Sequence, residues 1–128
     1  MAGNLSSNME DYLKVIYFLQ NKMGIVRVRD IAKEMAITMP SVSSALKNLE
    51  KHGLVSHPRY DVVGLTSEGK KIAEHVTRRH SVIMDFLLGV LGLDPKIAEK
   101  DACGMEHNIS QETLESLDKF LKERNVKR

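Results

Sequence analysis

Residues 30–53, DIAKEMAITMPSVSSALKNLEKHG, have the pattern of two short helices joined by a tight turn. The first helix is predicted over 30–35 and the turn over 37–39. Pro40 suits the start of the second helix, where its missing N–H needs no partner. The second helix ends at Gly53 and directs its apolar residues to one side: Val42, Ala45, Leu46 and Leu49. This spacing predicts a helix-turn-helix.

The segments on either side extend this unit. A preceding helix is predicted to begin at an S-x-x-E capping box, Ser7 and Glu10, and to be followed by an extended link at 27–29. Residues 54–56 and 62–66 are predicted as the two short strands of a hairpin. Helix, short helix, turn, helix and hairpin is the order of a winged helix-turn-helix.

Three further helices are predicted in the second half of the chain. Ser67 is expected to cap a long helix over about 67–91. The Asp94-Pro95 pair opens a fifth helix that reaches His107, and Ser110 caps a sixth. The predicted fold class is therefore mainly α with a small β-hairpin.

The composition limits the class of protein. Of the 128 residues, 42% are apolar, which is enough for a hydrophobic core. No apolar run long enough for a membrane span and no signal-peptide pattern are visible, so we expect a cytoplasmic protein with no membrane partner. The single cysteine excludes an internal disulfide and is typical of a reducing compartment. A net charge of +2 neither requires nor opposes a nucleic-acid partner, because a local basic face is sufficient.

The second helix of the pair carries the residues expected to contact DNA. In a winged helix-turn-helix this helix enters the major groove and the hairpin touches the backbone. Small hydroxyls allow close approach, proline offers an apolar edge to a thymine methyl, and basic side chains pair with phosphates. A serine-rich, solvated helix face would show the same residues, and the order of the elements is what favours DNA binding. The predicted contacts are Thr38, Pro40, Ser41, Ser43, Ser44, Lys47, Lys51 and, at the hairpin tip, Arg59.

Residues 101–107, DACGMEH, are a second chemically distinctive segment. Cys103, Glu106 and His107 have the i, i+3, i+4 spacing that places side chains on one helix face. A thiolate, a carboxylate and an imidazole suit a divalent first-row transition metal. A buried cysteine beside two surface residues has the same spacing, so the triad alone leaves both interpretations open.

Motifs over nearly the whole chain resemble the diphtheria toxin repressor family, and specifically its shorter manganese transport regulator branch. They are Met9 to Tyr17 (MEDYLKVIY), Asp30 to Ala32, Ser41-Val42, Leu65 to Lys70 (LTSEGK), Arg79-His80 and Glu106-His107 with Ser110. The resemblance implies a winged helix-turn-helix domain over 1–70 and a helical metal-binding and dimerisation domain over 71–128. It implies a homodimeric repressor that binds palindromic double-stranded operator DNA when loaded with Mn²⁺ or Fe²⁺ and controls metal-homeostasis genes. Larger members carry an SH3-like domain, which is expected to be missing here.

The resemblance places metal ligands at Asp11, His80, Cys103, Glu106 and His107. The manganese branch has a carboxylate at the position of Cys103, and the iron branch has a methionine at that of Asp11, so this sequence mixes the two. A carboxylate favours Mn²⁺, whereas a thiolate favours Fe²⁺, Zn²⁺, Co²⁺ or Ni²⁺, which makes the last three candidate substitutes.

The resemblance also bears on metal number and on the dimer. The manganese branch has a glutamate at the position of Lys14 that helps to hold a second metal. A protonated lysine repels a cation, so we expect one metal per subunit. The dimer contact is expected through the fifth and sixth helices, because the apolar face of the sixth has no other obvious partner: Leu114, Leu117, Phe120 and Leu121.

Three other interpretations fit parts of the pattern. Cys103 could be the reactive group of a thiol-based redox sensor on a winged-helix scaffold, although it would need an intermolecular partner. A metal-independent winged-helix protein would use its last helices only to dimerise. A small metalloenzyme would need a general base, a phosphate loop or a nucleophile motif, and none is visible, so we expect neither an enzyme nor a small organic substrate.

Overall fold

A computed structural model of the protein describes residues 5–56 and 61–126. Within these ranges no helix is both long enough and apolar enough to cross a membrane. The chain divides into two compact units, Met1–Glu74 and His75–Arg128. The described elements, in chain order, are α1 (Ser7–Met23), β1 (Val26–Arg27), α2 (Val28–Met35), α3 (Met39–Lys51), β2 (Val55–Ser56), β3 (Val62–Leu65), α4 (Ser67–Gly89), α5 (Pro95–Met105) and α6 (Gln111–Glu123).

The first unit holds a helix-turn-helix and a three-stranded antiparallel sheet in the order β1-β3-β2. The predicted hairpin strands are confirmed as β2 and β3, with Val55 opposite Leu65. The extended link predicted at 27–29 is confirmed only at Arg27, which pairs with Val62 as part of β1. It was wrong for residues 28 and 29, because α2 already begins at Val28. The Asp30 carboxylate accepts the Arg27 N–H at 2.9 Å. This hydrogen bond pairs a backbone N–H that has no partner within the helix at the N-terminus of α2.

Three helices enclose the core of the first unit. Tyr12, Leu13, Ile16 and Leu19 of α1, Ile31 and Ala32 of α2, and Val42, Leu46 and Leu49 of α3 are all buried. The cap predicted at Ser7 was wrong by one residue. Ser6 has an extended backbone and its side chain accepts the Met9 N–H at 3.1 Å, so Ser7 already lies inside α1.

The start of α4 lies against the backbone that leaves α3. Its cap is Thr66 and not the predicted Ser67: the Thr66 hydroxyl accepts the Gly69 N–H at 3.1 Å and donates to the Gly53 carbonyl at 2.6 Å. A Cβ at Gly69 would overlap the Leu54 carbonyl oxygen. The close approach of the two backbone segments therefore requires glycine at position 69. The helix ends at Gly89, before the predicted end near residue 91.

The second unit packs α5 and α6 on α4. Ile83, Met84 and Leu87 of α4 form a core with Ala98 and Ala102 of α5, whose small side chains allow the two helices to come close. The fifth helix ends at Met105, two residues before the predicted His107.

The apolar face of α6 has a partner within its own unit. Leu114 and Leu121 are buried with Val82 of α4, and the ring centroids of Phe86 and Phe120 lie 6.0 Å apart in an edge-on contact. The expectation that the apolar face of the sixth helix has no obvious partner other than a second copy was therefore wrong.

Candidate metal centre and nucleic-acid interface

The second unit brings three of the predicted ligands together. His80 lies near the middle of α4, Cys103 lies in the last turn of α5, and Glu106 follows its final residue. One ligand atom from each of these residues lies within 4.8 Å of the other two. The alanine contacts between α4 and α5 make this approach possible, because larger residues at 98 and 102 would separate the helices.

Glu106 is the central residue of the cluster. Its side chain is 0% exposed, its Oε1 lies 2.7 Å from Nδ1 of His80, and its Oε2 lies 3.3 Å from Nε2 of His107. His107 itself is only 8% exposed. A carboxylate removed from water is costly unless it is paired, and the two imidazoles beside Glu106 offset part of this cost.

Glu99 also joins the cluster, although it was not among the ligands predicted from the sequence. Its two carboxylate oxygens lie 3.3 Å from Nε2 of His80 and 3.3 Å from the sulfur of Cys103. Glu99 lies four residues before Cys103 and seven before Glu106, so the same-face spacing that identified the triad would also have identified it. Its side chain is 56% exposed, which places it at the outer edge of the cluster.

The donor set is chemically suited to a divalent transition metal. It offers one thiol, imidazole nitrogens and carboxylate oxygens, a mixture that binds Mn²⁺ and Fe²⁺ through oxygen and nitrogen and softer ions through sulfur. Binding would require the thiolate and neutral imidazoles, so affinity should fall as the pH is lowered. Asp11, the remaining predicted ligand, is a half-buried residue of α1 in the first unit.

The predicted DNA-contact residues lie mostly on the open face of α3. Thr38 caps the helix: its hydroxyl accepts the Ser41 N–H at 3.3 Å and lies 2.9 Å from the Ser41 hydroxyl. Ser43 is half-buried, and Arg59 lies outside the described residues. The other predicted contacts are exposed: Thr38, Pro40, Ser41, Ser44, Lys47 and Lys51.

A polar cleft adjoins this face of α3. It has a volume of about 680 Å³, and Asn8 and Tyr12 of α1 line it together with Pro40, Ser41 and Ser44 of α3. Burial raises the pKa of Tyr12 above its ordinary value of 10.0, because the interior disfavours the phenolate. The phenol therefore keeps its proton at neutral pH.

Comparisons with known proteins place the chain in a family. Residues 4–63 match the family model described as iron dependent repressor, N-terminal DNA binding domain. Residues 66–127 match the model described as iron dependent repressor, metal binding and dimerisation domain. The transcriptional regulator MntR of Escherichia coli O6:H1 is 38% identical over 119 residues, which cover 93% of this chain and 76% of that protein. The chain belongs to the iron-dependent repressor family.

Two further similar proteins agree with this placement in the iron-dependent repressor family. An uncharacterised HTH-type transcriptional regulator of Methanocaldococcus jannaschii is 35% identical over 118 residues, covering 91% of this chain and 94% of that protein. The solved structure of the manganese regulator SloR superposes with a TM-score of 0.80 at 33% identity. The match covers 92% of this chain and 55% of SloR, so the chain spans little more than half of that structure.

Membership in the iron-dependent repressor family confirms the resemblance inferred from the sequence motifs. It also confirms the fold class, a winged helix-turn-helix unit followed by a helical unit. The family consists of transcriptional regulators, as predicted from the sequence.

Proposed function

We propose that this protein is a cytoplasmic, metal-dependent repressor that binds palindromic operator DNA as a homodimer and controls metal-homeostasis genes. The observation that carries the proposal is the cluster of His80, Cys103 and Glu106 in the same chain as an open recognition helix, α3. Neither the metal-ligand cluster alone nor the exposed helix α3 alone would make a metal-responsive regulator.

The proposed ligands are those the cluster brings together, His80, Cys103 and Glu106, with His107 beside them. Asp11 is kept in the set on the strength of the family motif alone. The carboxylates and imidazoles favour Mn²⁺ or Fe²⁺ as the physiological ion, with Zn²⁺, Co²⁺ or Ni²⁺ as substitutes that the thiolate would also accept. When bound, the ion supplies positive charge that holds these side chains in one arrangement.

On the DNA side, we propose that α3 enters the major groove. Val42, Leu46 and Leu49 hold its inner face in the core, so the positions of the outer residues are well defined. Thr38, Pro40, Ser41, Ser43 and Ser44 would lie closest to the bases. Lys47, Lys51 and Arg59 would pair with phosphates.

The dimer contact is proposed at an apolar groove of the second unit. The groove has a volume of about 660 Å³ and is lined mainly by apolar side chains that include Phe86, Leu91, Met105 and Leu117. Leu91 is 54% exposed and Met105 is 40% exposed. Exposed apolar surface of this kind is typical of an interface and, unlike the buried residues of α6, remains available to a second copy.

The proposal predicts that operator binding requires metal. Metal and DNA favour the same state, so saturating Mn²⁺ or anaerobic Fe²⁺ should strengthen binding to a family-type palindrome by at least about tenfold over chelator-treated protein. Fluorescence anisotropy at one fixed salt concentration, with a scrambled duplex as control, would measure this. Equal operator affinity with and without metal would be consistent with a DNA-binding protein and would rule out the proposed metal-sensing role.

A second prediction concerns the number of bound ions. We expect one Mn²⁺ per chain at saturation, because a protonated lysine at position 14 opposes a neighbouring second cation. Equilibrium dialysis followed by elemental analysis would give the ratio. Lys14→Glu restores a carboxylate and should raise the ratio towards two, whereas Lys100→Glu, an exposed position on α5, should not. Two ions per chain in the unaltered protein would contradict the prediction.

A further inference from the structure

The polar cleft between α1 and α3 contains a group that the proposed function does not use. Tyr12 lines the cleft, and only 4% of its surface is exposed. Within residues 5–56 and 61–126 no other group hydrogen-bonds its hydroxyl. The hydroxyl oxygen is not among the fully enclosed side-chain atoms, so it reaches the open space of the cleft. The hydroxyl of Tyr12 is therefore available to a ligand that enters the cleft.

The surroundings of Tyr12 indicate the chemistry of that ligand. The other polar lining residues, Asn8, Ser41, Ser44 and Asn48, carry hydroxyl or amide groups, and none of the lining residues is acidic. Neutral donors of these types, including tyrosine, commonly bind the phosphates of DNA. The cleft also shares Ser41 and Ser44 with the exposed face of α3, so DNA on that face would cover its mouth.

We propose that the cleft receives one phosphate of the operator backbone and that the Tyr12 hydroxyl donates a hydrogen bond to it. This inference rests on the proposed operator binding. The hydrogen bond from Tyr12 would be a sequence-independent DNA contact made by α1, a helix outside the helix-turn-helix. The contact fixes the position of α3 along the DNA backbone, because a phosphate held in the cleft limits how far the helix can slide in the groove.

Tyr12→Phe tests the inference, because it removes only the hydroxyl. A hydrogen bond to a charged group contributes about 1.5–3 kcal/mol, so the operator Kd at saturating Mn²⁺ should rise about tenfold or more. No charge is lost, so the dependence of log Kd on log salt should keep its slope, whereas Lys47→Ala should lower that slope by about one. The matched control is Tyr17→Phe on the same helix. The Tyr17 hydroxyl lies 3.3 Å from the Glu74 carboxylate, and its loss should leave the Kd unchanged.

A phosphate scan identifies the partner. Operator duplexes carrying one neutral methylphosphonate at successive positions are titrated with the unaltered protein and with Tyr12→Phe. At one position in each half-site the difference between the two proteins should disappear. An unchanged Kd for Tyr12→Phe overturns the inference, as does a loss that persists at every methylphosphonate position. Absence of metal-dependent operator binding by the unaltered protein is a separate result that refutes the proposed function and the inference with it.

Discussion

Glu106→Gln is expected to abolish the metal response of DNA binding while leaving the fold intact. The substitution keeps the size of the side chain and removes the negative charge that lies between His80 and His107. Changes to residues that merely orient metal ligands cost about 10–100-fold in affinity, so loss of the buried charge of a proposed ligand should cost more than about 100-fold. Titration of Mn²⁺ followed by electron paramagnetic resonance would give the affinity, and anisotropy would give the loss of metal-dependent operator binding.

The matched control is Glu115→Gln, which makes the same chemical change at an exposed position of α6. It should leave both quantities unchanged. Far-UV circular dichroism of the metal-free proteins should show the same helix content for both variants. Retention of the full metal response by Glu106→Gln would place the metal site elsewhere in the protein.

Gly69→Ala is expected to produce the largest loss of stability among small substitutions. The added methyl group would overlap the carbonyl oxygen of Leu54, and that atom belongs to the backbone and cannot rotate away. The same carbonyl accepts the Thr66 N–H at 3.1 Å, so moving it also disturbs the cap of α4. Overpacking costs typically 1–3 kcal/mol, and a backbone clash should lie at the upper end, about 3 kcal/mol in the free energy of unfolding. Urea denaturation of metal-free protein, followed by far-UV circular dichroism, would measure it.

Gly104→Ala provides the comparison for this change. Gly104 is also helical, but a Cβ there would meet no atom within 4 Å. Alanine is favoured over glycine by about 0.5–1 kcal/mol in a helix interior. Gly104 lies in the last turn of α5, where the gain is smaller, so this variant should be at least as stable as the unaltered protein. Equal unfolding free energies for the two variants would mean that the helix start can shift away from Leu54.

The local pattern predicted the helices well and their ends less well. Serine or threonine occupies two neighbouring positions at the start of α1 and again at the start of α4, and each of these residues can cap a helix. The choice of Ser6 over Ser7 and of Thr66 over Ser67 depends on where the helix packs, which no local pattern contains. The two-residue strand β1 could not be predicted for a similar reason, because its pairing partner, Val63, lies far along the chain.

The candidate metal site was predictable in part. Spacing identified Cys103, Glu106 and His107, and the same rule extended by one turn would have added Glu99. His80 entered only through the family motif, because its approach to Glu106 depends on the packing of α4 against Ala98 and Ala102. The complete burial of Glu106 is likewise a tertiary property.

The pairing of β1 with β3 has a consequence for how the first unit folds. The two strands join across a segment that contains all of α2, α3 and β2, so the recognition helix lies inside a closed loop of the chain. Such long-range contacts slow folding, because loop closure costs entropy before any contact compensates for it. The helix-turn-helix should therefore refold in one concerted step with the sheet, at a rate set by this closure and slower than that of a purely helical segment of the same length.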